Sequence, residues 1–343
     1  MTGLAVNGRY LAQGLTGVQR FAGEVTAALA LLRPVRLLTP PGVTGGIAIG
    51  SRSGQAWEQL DLPGALSGDV LINLGNTAPL RVGRRQAVVI HDAGVFDTPE
   101  SYSLPFRLWY RFLHHALART GARLITVSEF SRGRIAKNLH IDPSRIGVMP
   151  EGGEHVLRIP ADIAVLEKHG LQPGRYALAV GSRAAHKNLD ALRDAAALLA
   201  ERGMHLAAAG AADPAVFRPA GGGPGAVALG RVTDAELRAL YENALCLVFP
   251  SRYEGFGLPP LEAMTCGCPV IAAASGAVPE VCGDAALWFD SAVPSTLTDA
   301  LRRLLDEPGL AATLRDAGLA RAKNFTWARA AETLLRLLPE PRA

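Results

Sequence analysis

The chain has 343 residues, of which 49% are hydrophobic and 19% charged, with 35 Lys and Arg against 31 Asp and Glu for a formal charge of +4. A chain of this length and apolarity buries a large core and is long enough for two domains of ordinary size. The mild positive balance argues against nucleic acid as a partner, and is compatible with phosphate ligands or an anionic membrane surface. The longest apolar runs are broken by Gly, Arg or Pro well short of the ~20 residues that span a bilayer, and the N-terminus has no basic-then-apolar leader, so the expected location is the cytoplasm. All four cysteines, Cys246, Cys266, Cys268 and Cys282, lie in the C-terminal half. Cys266 and Cys268 are spaced for neither a zinc knuckle nor a redox pair, so buried free thiols and no disulfide are expected.

Short apolar runs alternate with helical patterns. Strands are expected at 3–7, 36–39, 70–74, 87–90, 124–127 and 146–149, and in a second series at 176–180, 205–209, 227–229, 245–249 and 269–273. This alternation predicts an α/β fold of two Rossmann-like doubly wound domains facing across a cleft, with ligands at the carboxyl ends of the strands. The turn-rich string PEGGEHVLRIP marks the join. The expected domains are 1–158 with 325–343, and 159–324.

After the first strand, Gly14 and Gly17 precede an amphipathic helix, but the dinucleotide fingerprint G-x-G-x-x-G is absent. Gly75, Asn76 and Thr77 end the strand at 70–74 and are candidates to line a second ligand's side of the cleft. QAVVIHDAGVF puts His91 and Asp92 at the end of a strand, either as a satisfied histidine beside a capping aspartate or as groups facing a ligand. The segment 105–120, PFRLWYRFLHHALART, mixes large apolar residues with arginines; it reads as a core helix with solvated arginines or as a helix docked on an anionic membrane. Ser128 is a plausible helix N-cap.

In the second half, YALAVGSRAAHKN ends a strand at Gly181 and follows it with Arg183 and Lys187. Two cations after one strand can neutralise a diphosphate, arginine with a fork of donors and lysine as a point charge. The Gly/Ala/Pro-rich stretch 219–227 is expected to be a surface loop, and Thr233 or Asp234 caps the next helix. The most informative stretch is 246–283. There an apolar strand breaks at Pro250 and Ser251 into a loop carrying Glu254, Gly255 and Gly257, and Pro259 and Pro260 then open a short helix that Gly267 closes. Prolines donate no amide hydrogen, so donors for an anion come from the amides of Gly255, Phe256, Gly257 and Leu258. Glu254 and Glu262 have seven residues between them. Glu262, one turn into the helix, suits a vicinal diol such as a ribose, and Glu254 suits whatever hangs from the phosphate. From spacing alone, a plain strand-loop-helix connection with a capping glutamate is an equally good reading.

The string SRYEGFGLPPLEAMTCGCPVIAAASGAVPEV resembles the donor-binding segment of the retaining family-4 glycosyltransferases, which have the GT-B fold and two glutamates with seven residues between them. The resemblance covers nearly the full chain. It implies that Glu254 contacts the donor sugar and Glu262 the ribose hydroxyls, and that Arg183 and Lys187 bind the donor phosphates. It implies further that Gly17 lies in a loop closing over those phosphates, that His91 reaches the donor hexose, that the backbone around Val232 holds the base, and that Ser251 lies in the donor site. Ser131 falls near the donor side and His155 at the hinge. FTWARAAETLLRLL is similar to the final helix that crosses back to the N-terminal domain.

What the resemblance implies is a metal-independent hexosyltransferase with no cofactor, acting with retention in bacterial surface polysaccharide assembly. HDAGVF, GSRAAHKN and PEGGEHV look most like bacterial mannosyltransferases using GDP-mannose; a UDP-sugar or a GDP-deoxyhexose is the alternative donor. The expected acceptor is a glycan or a lipid-linked oligosaccharide, with peripheral contact to the inner membrane face. One departure is Glu151, where relatives often have Asn before the glycines. Two other classes are weighed. A nicotinamide-dependent oxidoreductase needs the missing glycine fingerprint, and an idle nucleotide-sugar-binding scaffold would lack one of Glu254, His91 or the basic residues.

Overall fold

A computed structural model describes residues 3–181, 184–210, 226–293 and 295–339. The chain divides into two compact units, Met1–Gly152 with Trp327–Ala343, and Gly153–Thr326. The first is built on a seven-stranded sheet: β1 (Leu4–Asn7), β2 (Val35–Thr39), β3 (Ile47–Ala48), β4 (Val70–Asn73), β5 (Gln86–Val89), β6 (Arg123–Thr126) and β7 (Ile146–Val148), in the order β3-β2-β1-β4-β5-β6-β7. All these pairings are parallel. Parallel neighbours need crossover segments that cover both sheet faces, and β1, β4 and β5 are accordingly buried at every residue.

Among its longer helices are α1 (Gly17–Leu32), α2 (Leu104–Thr120) and α3 (Glu129–Leu139). Ser128 caps α3 as expected, its side chain accepting from the Ser131 amide at 3.0 Å. α2 is divided along its length: Leu113, His114, Leu117 and Ala118 are buried, whereas Leu104, Phe106, Leu108 and Phe112 are exposed.

The second unit repeats the logic with six strands: β8 (Tyr176–Gly181), β9 (His205–Gly210), β10 (Ala226–Gly230), β11 (Cys246–Phe249), β12 (Val270–Ala273) and β13 (Ala286–Phe289), in the order β10-β9-β8-β11-β12-β13, all parallel. Its longer helices are α4 (Leu192–Glu201), α5 (Asp234–Asn243), α6 (Leu258–Thr265), α7 (Ser295–Asp306) and α8 (Leu310–Ala322). Thr233 starts α5 with a capping box, exchanging hydrogen bonds with Glu236. A core including Leu192, Leu199, Leu206, Val248, Ile271 and Leu301 fills one side of this sheet.

The last helix, α9 (Trp327–Leu337), belongs to the first unit and packs on α1. It turns Trp327, Ala330, Ala331 and Leu334 inward, and the buried Trp327 ring meets Phe21 edge-on at 5.9 Å.

In each sheet the strand order reverses once, between β1 and β4 and again between β8 and β11. Connections leave such neighbours in opposite directions, so the segments after their carboxyl ends frame a crevice where ligands settle in folds of this kind.

The structure departs from the sequence reading in three places. β3 and β13 were not anticipated: β3 has only two residues, both exposed, and β13 is a four-residue run with three residues buried. Residues 219–225 of the loop expected at 219–227 lie outside the described residues, and Val227 is in β10, where a strand was expected at 227–229. The domain boundary falls at Gly152, before the expected 158, because the turn at Glu154–Leu157 packs on α5 and α6 of the second unit. The return begins at Trp327 in place of 325.

Replacing Trp327 by Ala empties a wholly buried site and is expected to cost about 3–5 kcal/mol. Denaturant unfolding followed by tryptophan-independent circular dichroism should show an earlier transition; an unmoved midpoint would mean that α9 is not part of the first unit's core.

Candidate donor site

The segment after β8 and the segment after β11 start side by side, since β8 and β11 are hydrogen-bonded neighbours in register Cys246 to Ala177 and Leu247 to Leu178. The first carries Lys187 and the second Glu254. The Lys187 Nζ lies 2.6 Å from Glu254 Oε1, with the two side chains 19% and 13% exposed, and 5.8 Å from the centre of the Phe249 ring. Two further bonds lock the segments: the Arg252 amide donates to the His186 carbonyl at 2.7 Å, and Asn188 Nδ2 to the Pro250 carbonyl at 3.2 Å. Asn188 adopts a left-handed φ of 54°, which asparagine tolerates better than most residues.

The loop that carries Glu254 is pinned from its other side by the turn after β12. The Ala277 amide donates to the Glu254 carbonyl at 3.1 Å, and the Ser275 hydroxyl to the Ser251 carbonyl. Gly276 sits at φ 61°, and a Cβ there would lie 2.7 Å from both the amide nitrogen and the carbonyl oxygen of Glu254. Only glycine fits this approach. Ser251 is buried, and Phe256 turns its side chain inward against Phe325, edge-on at 5.9 Å, so what residues 255–258 offer a ligand is backbone. Gly257 caps α6 at φ 115°, Leu258 follows as its first residue, and the prolines come next, as expected.

Glu262 is only 8% exposed and is held at both oxygens. His155 Nε2 stands 2.9 Å from Oε1, and the Tyr241 hydroxyl donates to Oε2 at 3.1 Å. Burial and the adjoining carboxylate push the Tyr241 phenol well above its ordinary range, so it keeps the proton it donates. Tyr241 was not singled out from the sequence; its only signal was its place beside Leu240 on the inner face of a capped helix. Val232 is in the short link between β10 and Thr233. Arg183 lies outside the described residues. Burial pushes the Cys246, Cys266 and Cys282 thiols up to about 12, and all four cysteines are free.

The remaining candidates belong to the first unit. Gly17 is exposed as the first residue of α1, and nothing lies within 4 Å of a Cβ built on it, so the chain's own packing does not demand glycine there. His91 is buried. Its Nε2 donates to the Leu74 carbonyl at 2.9 Å, its Nδ1 faces Glu151 Oε1 at 3.6 Å, and Phe21 meets the ring edge-on at 4.5 Å. The ring is thus occupied within the unit, and Glu151, the residue that departs from the family pattern, is what it faces.

Asn76, next to Gly75, holds a left-handed φ of 67° and is fixed by three bonds: from its amide to the Val89 carbonyl at 3.1 Å, from the His91 amide to its Oδ1 at 2.8 Å, and from His114 Nε2 to its carbonyl at 2.9 Å. Burial lowers His114 to about 4, so at neutral pH it is an uncharged donor. Thr77 does not line a surface. It is buried in a network the sequence did not reveal, accepting from Arg9 at 2.6 Å and donating to Glu58 at 2.9 Å, with Asn7 also donating to Glu58 at 2.7 Å.

The fold is that of the GT-B glycosyltransferases. It superposes on the crystal structure of Anabaena HepE in complex with UDP-glucose with a TM-score of 0.74 and 18% identity, covering 98% of this chain and 99% of that one. The family profile described as Glycosyl transferases group 1 matches residues 174–307. The O-antigen chain mannosyltransferase B of Escherichia coli is 34% identical over 258 residues, which are 71% of this chain and 67% of that protein. The MMP alpha-(1->4)-mannosyltransferase of Mycolicibacterium hassiacum is 31% identical over 64% of this chain, and there the chain spans little more than half of the relative, 55%. The chain belongs to the group 1 glycosyl transferases, among relatives that include O-antigen mannosyltransferases.

Gly276→Ala is expected to push the Glu254 loop off its seat and to part the Lys187–Glu254 pair. The check is nucleotide-diphosphate affinity beside a circular dichroism spectrum; a folded variant that binds with wild-type affinity would show that the glycine contact does not set the loop.

Proposed function

We propose that this protein transfers a hexose, mannose from GDP-mannose in the favoured reading, from a nucleotide diphosphate sugar to a glycan or lipid-linked acceptor. The transfer proceeds with retention at the anomeric carbon and without a metal, in the assembly of a bacterial surface polysaccharide. The observation that carries this reading is the Lys187–Glu254 pair at the reversal of the second sheet, on a loop that runs into the amides ahead of α6. The mannosyltransferase relatives support the sugar and are the reason for preferring mannose. A UDP-sugar or a GDP-deoxyhexose fits the same phosphate grip, because the base is read by backbone near Val232.

As the anomeric bond breaks, negative charge gathers on the departing diphosphate and the sugar becomes oxocarbenium-like. Fixed cations and amides aimed at the phosphate therefore lower the barrier more than they tighten the ground state. Lys187 supplies the charge, the amides of residues 255–258 supply neutral donors, and Arg183 is proposed as the second cation. When the phosphate arrives, Lys187 turns from Glu254 toward it, which frees the carboxylate to hold sugar hydroxyls. In same-face attack the leaving phosphate itself takes the acceptor proton. His91 must yield one of its two present partners before it touches a hexose.

We place the protein in the cytoplasm, peripheral to the inner face of the plasma membrane. The support is on α2, where Leu104, Leu108 and Phe112 recur every four residues at 55%, 57% and 57% exposure, with Arg107 and Arg119 on the same helix. Among the described residues no helix is long and apolar enough to cross a membrane.

Two experiments test this. With GDP-mannose and a lipid-linked glycan, Lys187→Ala and Glu254→Gln should each lower turnover by roughly 10²–10³-fold in a folded protein; undiminished turnover in either would reject the assignment. In flotation with phosphatidylglycerol vesicles, the double variant Leu108→Glu and Phe112→Glu should stay in the soluble fraction while the wild type floats. Equal flotation of the two would remove α2 as the docking face.

A further inference from the structure

Glu262 is held by two residues brought to it by separate parts of the second unit. His155 comes from the turn Glu154–Leu157, directly after the unit's first residue, and Tyr241 from the last turn of α5. The chain is drawn onto α6 at Gly153, where a Cβ would lie 2.7 Å from both Leu261 Cγ and Thr265 Oγ1, and where the Gly153 amide donates to the Phe325 carbonyl at 3.3 Å. Arg238 of α5 clamps the other end of the same segment, donating to the Leu157 and Ile159 carbonyls at 2.9 Å each. The path of the backbone thus fixes the imidazole against the carboxylate.

A carboxylate accepts about four hydrogen bonds, two per oxygen. His155 and Tyr241 fill one on each oxygen of Glu262, which restrains the carboxylate at both ends and leaves each oxygen a further acceptor position. That is the arrangement two adjacent hydroxyls need, and the Glu262 side chain keeps 10% exposure. For a purely structural role the arrangement is a poor one, since burying an ionised group costs more than an apolar contact of the same size.

We infer that His155 and Tyr241 are positioning residues that aim Glu262 at the vicinal diol of the donor's ribose. The inference rests on the reading of Glu262 given above and assigns the residues that make it work. It places the start of the second unit in the recognition of ribose, since His155 is part of the segment that enters the unit.

The test compares each ribonucleotide with its deoxy analogue by isothermal titration: GDP with 2′-deoxy-GDP, and UDP with 2′-deoxy-UDP. The wild type should prefer the ribonucleotide on the order of tenfold, the worth of one hydrogen bond to a charged group. In Tyr241→Phe and His155→Met the preference should collapse toward one while affinity for the deoxy analogue stays within about twofold. His155→Gln, whose amide nitrogen can stand where Nε2 stood, should restore it. Variants that keep the wild-type preference, even with a lowered melting temperature, would show the two residues to be structural and overturn the inference. A wild-type preference near one would instead remove the ribose reading of Glu262, and the inference with it.

Discussion

The contact between Lys187 Nζ and Glu254 Oε1, at 2.6 Å, is the interaction on which the rest of this site depends. Neither side chain is open enough to water to be indifferent to its partner, and a charge left alone in such a place is costly. Both residues sit on segments that would otherwise be unconstrained loops, so holding them in register takes the parallel pairing of β8 with β11 beneath and the ties from Arg252, Asn188 and Ala277 around them. The apolar strands matter to function mainly because they start these two segments next to each other.

The same plan appears in the first unit with different chemistry. At the reversal between β1 and β4, Asn7 donates to Asn73 at 2.9 Å, and Arg9 bonds Glu58 at 3.1 Å. Those groups satisfy one another in the interior, whereas the pair in the second unit stands on the segments that follow β8 and β11, with side chains 19% and 13% exposed. A buried network of mutually bonded groups makes a rigid platform, whereas a partly exposed ion pair is able to exchange one member for a ligand.

Much of this was legible in the sequence. Parallel strands buried on both faces leave unbroken apolar runs such as Tyr176 to Val180 and Leu245 to Phe249, and these are the easiest strands to read. Glu254, Gly257 and Glu262 stood out because proline and glycine punctuate the chain around them and the string resembles a known donor-binding segment, and Lys187 because it is one of two cations that follow a strand. The partners that decide what those residues do were harder to see. Tyr241, Gly276, Glu58 and Arg9 were not singled out, since the contacts that give them meaning join residues far apart in the chain. Thr77 misled for the same reason: a threonine after a strand looks exposed until Arg9 and Glu58 are seen to enclose it.

On the proposed reading, a diphosphate replaces Glu254 as the partner of Lys187. A crystal structure with an unhydrolysed nucleotide sugar bound tests this most directly. The distal phosphate is expected within hydrogen-bond distance of Lys187 Nζ and of amides in residues 255–258, with Glu254 turned to the sugar hydroxyls. A bound nucleotide whose phosphates lie elsewhere, with Lys187 and Glu254 still joined, would contradict it.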